Sequence, residues 1–162
     1  MLRTAAALGA SLLLTGCGGE DGPTREAFAR EADAVCRPAL AQLRAVKKRI
    51  DAAAAGADPD VVFARSAALL REGAAISRAT LDRIEALEEP SAMRDAVGAW
   101  VAANRRQAAL TDELAAAFDA QDETRIAQLS GRVDELEDTN NATARGFGMR
   151  SCAERVDASP QG

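Results

Sequence analysis

The chain has 162 residues, 25 acidic and 20 basic, with a net charge of −5 and neither histidine nor tyrosine. An acidic surface repels phosphate backbones, and one tryptophan with four phenylalanines offers few rings for base stacking, which argues against a nucleic-acid partner. Without histidine the chain lacks the usual general base, the Ser-His and Cys-His nucleophile pairs, and any histidine-held zinc, haem or di-iron centre.

The first segment places Arg3 before an apolar run of ten residues, Ala5 to Leu14. A membrane span needs about 20 apolar residues. The run fits the central region of an export signal instead. The string Leu14-Thr15-Gly16-Cys17 resembles the lipobox of bacterial lipoproteins. That resemblance implies cleavage before Cys17 and acyl chains (diacylglycerol and palmitate) at Cys17, the mature first residue. It also implies a lipid-anchored location on the extracytoplasmic face of the cell membrane. Two or more chains make such anchoring stable. The chain then divides into a signal peptide (1–16), a lipidated cysteine with a flexible tether (17–23), a helical domain (24–156) and a disordered tail (157–162). Cleavage removes Arg3 and leaves a mature net charge of −6. The Gly-rich tether reaches on the order of 15 Å.

Four helices are predicted beyond it. The first starts at Thr24, an N-cap residue, and carries Phe28, Ala32, Val35, Ala39, Leu43, Val46 and Ile50 on one face. Pro38 should kink it, and Gly56 should stop it. Lys47, Lys48 and Arg49 suit the negative end of its dipole. The second opens on Asp58-Pro59 and runs toward Pro90, with an inner stripe from Phe63 through Leu70, Leu81 and Ile84 to Leu87. The third begins after Ser91 and shows Met93, Val97, Trp100, Asn104, Gln107, Thr111, Leu114 and Phe118 at four- and three-residue steps. The fourth begins near Asp122 or Thr124 and shows Ile126, Leu129, Val133, Leu136, Asn140, Thr143 and Phe147, ending at Gly146 or Gly148. Similar lengths and short links predict an all-α, up-down-up-down four-helix bundle.

With Cys17 assigned to lipid, Cys36 and Cys152 remain, and two cysteines in an exported protein usually pair. The bridge would tie the tail back onto helix 1, about 18 Å along its axis from Thr24. A reactive thiol pair is the alternative, but the Cys-x-x-Cys spacing that favours one is absent. The cysteine in Ala34-Val35-Cys36, the proline-flanked helical middle and the terminal Gly-Phe-Gly-Met-Arg-Ser-Cys resemble the small helical lipoproteins of actinobacteria. That likeness implies fold and location rather than activity.

No nucleophile elbow, Ser-x-x-Lys or phosphate-binding loop occurs in the mature chain, and no catalytic residue, metal site or cofactor is expected. The acidic run Asp134-Glu135-Leu136-Glu137-Asp138 is either a cation site or, since helical neighbours diverge by 100°, a solvated face. Arg44, Lys47 and Lys48 are either a head-group contact or a charged helix end. Asn104, Gln107, Thr111, Asn140 and Thr143 fall where periodicity predicts burial, one turn from Trp100. They are a polar ligand pocket between helices 3 and 4, a hydrogen-bonded register lock, or a seam facing solvent. The leading expectation is a non-enzymatic interaction or structural module of the cell envelope, held to the membrane by lipid and engaging an envelope protein. The second is a small-molecule-binding lipoprotein.

Overall fold

The computed structural model describes residues 22–55 and 58–156. The export signal 1–16, Cys17, most of the tether, Gly56 and the tail 157–162 lie outside the described residues. Four helices form: α1 (Arg25–Ala54), α2 (Pro59–Glu85), α3 (Arg94–Asp119) and α4 (Glu123–Phe147). A 3-10 turn, Ser91–Met93, leads into α3, and another, Ser151–Ala153, follows α4. None of these helices is long and apolar enough to cross a membrane.

Local chemistry explains the helix ends. The first N–H groups of a helix have no partner within it, so a side-chain oxygen takes one. Thr24 Oγ1 accepts from the N–H of Ala27, Asp58 Oδ1 from Asp60, and Asp122 Oδ1 from Arg125. Pro59 sits in the first turn of α2, where its missing N–H costs nothing. At the far end of α4, Gly148 takes φ +89°, so that Gly148 N donates to Arg145 O and Met149 N to Ala144 O, both at 3.0 Å. These are the two bonds of a Schellman stop, and they turn the chain back toward α1. Gly146 remains inside α4 and stops nothing. Pro38 removes one N–H from the ladder of α1 on its exposed side, and the helix continues to Ala54. Lys47 to Arg49 precede the last turn of α1, which carries no basic residue.

The helices pack up-down-up-down, each against its chain neighbours. Ion pairs cross each junction: Arg49–Glu72 between α1 and α2, Arg78–Asp112 between α2 and α3, Arg125–Glu113 between α3 and α4. Exposed pairs contribute about 0–1 kcal/mol each, so they tune register more than they hold the fold. The core falls into two parts. Phe28, Ala32, Val35, Leu81, Ile84, Val97, Trp100, Val101 and Met149 fill the end where α1 begins. Leu110, Leu114, Ala117 and Leu129 fill the other, with Phe63 and Phe118 in ring contact at 5.9 Å.

The fourth side is closed differently. α1 and α4 have few close backbone approaches and meet mainly at one end, where Arg25 donates to the carbonyls of Gly146 and Phe147 and Phe28 and Ala32 share a cluster with Ala144, whereas the final turn packs on both. Cys36 and Cys152 form the disulfide, with Cα atoms 5.1 Å apart and a sequence separation of 116. Three residues before Cys36, the Asp33 carboxylate accepts from three successive backbone N–H groups: Arg150 at 3.0 Å, Ser151 at 2.7 Å and Cys152 at 3.3 Å. It caps the returning turn as a side chain caps a helix start. Arg44 pairs with Glu154, Arg155 with Asp138, and Arg145 donates to Ala153 O, so both sides of the gap hold the tail.

Two measurements test this clamp. Asp33→Ala should lower unfolding stability in denaturant by about 2–3 kcal/mol, because charge-assisted bonds are lost and backbone donors are left unpaired. Gly148→Ala should cost about 1 kcal/mol, since an alanine at positive φ is strained.

Candidate functional site

Where the two halves of the core meet, the interior is incompletely filled. A cavity of about 280 Å³ opens there. Leu40, Leu43 and Val46 of α1 and Leu70 and Ala74 of α2 form an aliphatic floor. At Ala74 and Gly73 α2 presents little or no side chain and approaches α1 closely beneath the groove. A Cβ at Gly73 would sit 3.7 Å from Leu43 Cδ2, an ordinary contact. α3 supplies Asn104, Gln107 and Thr111, and α4 supplies Glu137 and Asn141. The Cys36–Cys152 bridge, Glu154 and Val156 border the cavity, so the clamp is also a wall.

Most of the polar lining is satisfied by its own helix. Ser77 Oγ donates to Gly73 O, Thr80 Oγ1 to Ile76 O, Thr111 Oγ1 to Gln107 O, and Asn104 Nδ2 to Trp100 O, all one turn back. Trp100 Nε1 donates to the backbone oxygen of Asn140 at 2.9 Å, and Asn140 Nδ2 donates to Gln107 Oε1 at 2.8 Å. These last two bonds lock α3 against α4, since buried amides need partners. One group differs. Asn141 is only 8% exposed and lines the cavity, yet its Nδ2 has no hydrogen-bond partner.

The seam expected between helices 3 and 4 is therefore divided. Trp100, Asn104, Gln107 and Thr111 line the cavity, which faces α1 and α2 as well as α4. Asn140 is buried in the α3–α4 lock and does not line it. Thr143, expected to be buried, is exposed and bonds back to Thr139 O. The inner face of α4 instead includes Asn141 and Ala144, a phase the apolar spacing did not favour. The sequence signal for it was the alternative stripe Val133, Glu137, Asn141, Ala144, at steps of four, four and three.

The remaining charged groups resolve simply. Lys47 pairs with Asp51 at 2.6 Å, and Arg44 with Glu154. Lys47 lies about 35 Å along α1 from Thr24. Arg71 and Arg105, whose guanidinium pKa values are raised above the ordinary value by the hydrogen bonds they donate to Asp119 and Glu85, stand on the outer surface between α2 and α3. Among the described residues no three His, Cys, Asp or Glu side chains gather closely enough to hold a metal ion. Comparison with known proteins finds no match to a family model, to a curated protein or to a solved structure.

Trp100→Phe isolates the α3–α4 lock. It removes the donor that crosses from α3, while the Asn140 carbonyl keeps its place in the α4 ladder, and should cost about 1 kcal/mol in a thermal or denaturant melt. A change within error would show that this bond contributes nothing.

Proposed function

We propose that this protein is a lipid-anchored binding protein of the cell envelope, whose helical body holds a small, largely apolar molecule in the central groove. The unfilled space between the two halves of the core carries this reading. A volume of about 280 Å³ lies near the lower end of ligand sites, roughly 300 Å³. An aliphatic floor with a few convergent amides is the usual composition of such sites. Residues that sequence periodicity marked as a polar pocket, Trp100, Asn104, Gln107 and Thr111, take part in it.

The anchor half of the proposal rests on Leu14-Thr15-Gly16-Cys17 and the apolar run before it. The disulfide is compatible with an oxidising compartment. An interaction module would instead call for an exposed apolar patch. Among the described residues the one large hydrophobic side chain that is exposed is Val61, which favours the groove over the surface. We assign no catalysis: the groove presents satisfied hydroxyls and amides, and its two cysteines are joined.

Two experiments test the two halves. Mass spectrometry of the protein from membranes should find an acylated Cys17 at the N-terminus; an unmodified Cys17, or a start elsewhere, defeats the anchor. An environment-sensitive apolar dye should bind with one-to-one stoichiometry, and Gly73→Leu, which adds bulk against Leu43 and Val46 of the groove floor, should weaken binding at least about tenfold in a variant whose melt shows that it folds. Unchanged dye binding by a folded Gly73→Leu variant would contradict the groove reading.

A further inference from the structure

The shape of the groove names its occupant, an inference that rests on the reading of the groove as a binding site. We propose that the ligand is an amphiphile with one unbranched hydrocarbon chain, held lengthwise with its tip beside Trp100 and its polar head in water at the Ile50 end.

Length is the first ground. The lining runs from Cys36 to Ile50 on α1, from Ile84 back to Leu69 on α2 and from Trp100 to Thr111 on α3. At 1.5 Å per residue these stretches span about 16–22 Å along the bundle axis. A volume of about 280 Å³ drawn out over that distance is a slot. One third of it offers roughly 90 Å³, against roughly 150 Å³ for a compact cavity that takes one benzene ring. A single methylene chain suits such a slot, whereas rings are too wide for it.

Burial sets the direction. At one end Cys36, Leu81, Ile84 and Trp100 are each 7% exposed or less, and Cys152 stands beside them in the disulfide. At the other end Leu43, Ile50 and Leu70 are half-buried and Lys47 is exposed. The slot is blind at Trp100 and open at Ile50, so a chain enters tip first and its head stays outside.

The polar lining reads the chain rather than the head. Ser77, Thr80, Asn104 and Thr111 donate to carbonyls of their own helices. The charged lining residues carry both signs, and Lys47 and Glu154 each stand in an ion pair. Affinity then comes from burying methylenes, each worth about fourfold.

The occupant is a separate molecule. Ile50 lies about 39 Å along α1 from Thr24, while residues 17–23 extend at most about 25 Å, so an acyl chain carried on Cys17 would start too far from the open end.

The test uses the full chain with Cys17→Ser, which keeps acyl groups off the protein, titrated with octyl, decyl and dodecyl maltoside below their micelle-forming concentrations. Calorimetry should show one chain bound per protein and affinity rising roughly tenfold with each two methylenes added. The isomer-sized probe 6-cyclohexylhexyl maltoside, with the same number of chain carbons as dodecyl maltoside, should bind at least about tenfold more weakly than it. Trp100 is the only tryptophan, so its fluorescence reports one end of the slot. Dodecyl maltoside brominated at the chain tip should quench that emission, and the same compound brominated next to the head should leave it unchanged; this readout needs no further variant to fold. Equal binding of the cyclohexyl probe, affinity that does not rise with chain length, several chains bound per protein, or equal quenching by the two brominated chains would overturn the single-chain assignment while leaving the groove a binding site. So would binding of the apolar dye with no binding of any maltoside. Failure of the maltosides and the dye alike would overturn the groove reading itself.

Discussion

A single carboxylate organises the return of the chain. Asp33 collects the backbone N–H groups of Arg150, Ser151 and Cys152, and one helical turn away Cys36 bonds covalently to Cys152. Together they fasten the turn Ser151–Ala153 to the first half of α1. Most four-helix bundles close by packing the first helix on the fourth along a shared seam. Here that seam is largely replaced by a short tail. The tail touches α1 on one side and α4 on the other, and Arg44, Arg145 and Arg155 add polar contacts across the same region. The bridge constrains the unfolded chain strongly because it joins distant residues, nominally about 4–5 kcal/mol for a loop of this length.

The cavity is a consequence of that closure. Away from the end where Arg25 and Phe28 reach α4, few close approaches join α1 and α4, and the groove opens there. Alanine permits close approach where helices touch, as at Ala32, Ala67, Ala115 and Ala144, all fully buried. Ala74 and Gly73 do the same on α2, where a Cβ at Gly73 would lie 3.7 Å from Leu43 of α1. Large residues at the two ends, Phe28 and Met149 at one and Leu129 at the other, fix the bundle on either side of the space. Fold stability and an internal site thus occupy different portions of one small core.

Much of this architecture was legible in the sequence. Thr24, Asp58 with Pro59, and Asp122 mark helix starts through side-chain chemistry that acts within three residues, so no tertiary knowledge was needed. The disulfide followed from the redox argument and a bundle that brings both chain ends together. What escaped was long-range or angular. Asp33 looks like any surface acid until the returning turn supplies its three donors. Gly146 and Gly148 are equivalent in composition, and only the αL geometry of Gly148 separates them. On α4 a rotation of one residue, 100°, exchanges exposed Thr143 for buried Ala144 and brings Asn141 to the inner face beside Asn140, which moves the candidate site from the α3–α4 seam to the centre of the bundle. Apolar spacing defines that angle poorly on a helix whose inner face mixes leucine, asparagine and alanine.

Closure by the tail rather than by direct contact of α1 and α4 is the claim on which the groove depends. Hydrogen exchange compared between the oxidised and the reduced protein measures it most directly. The expected result is a local loss of protection, confined to residues 148–156 and to the facing stretches of α1 and α4, while α2 and α3 keep theirs. Uniform protection in both forms, or a loss spread evenly over all four helices, would mean that the bundle is closed by something other than its tail.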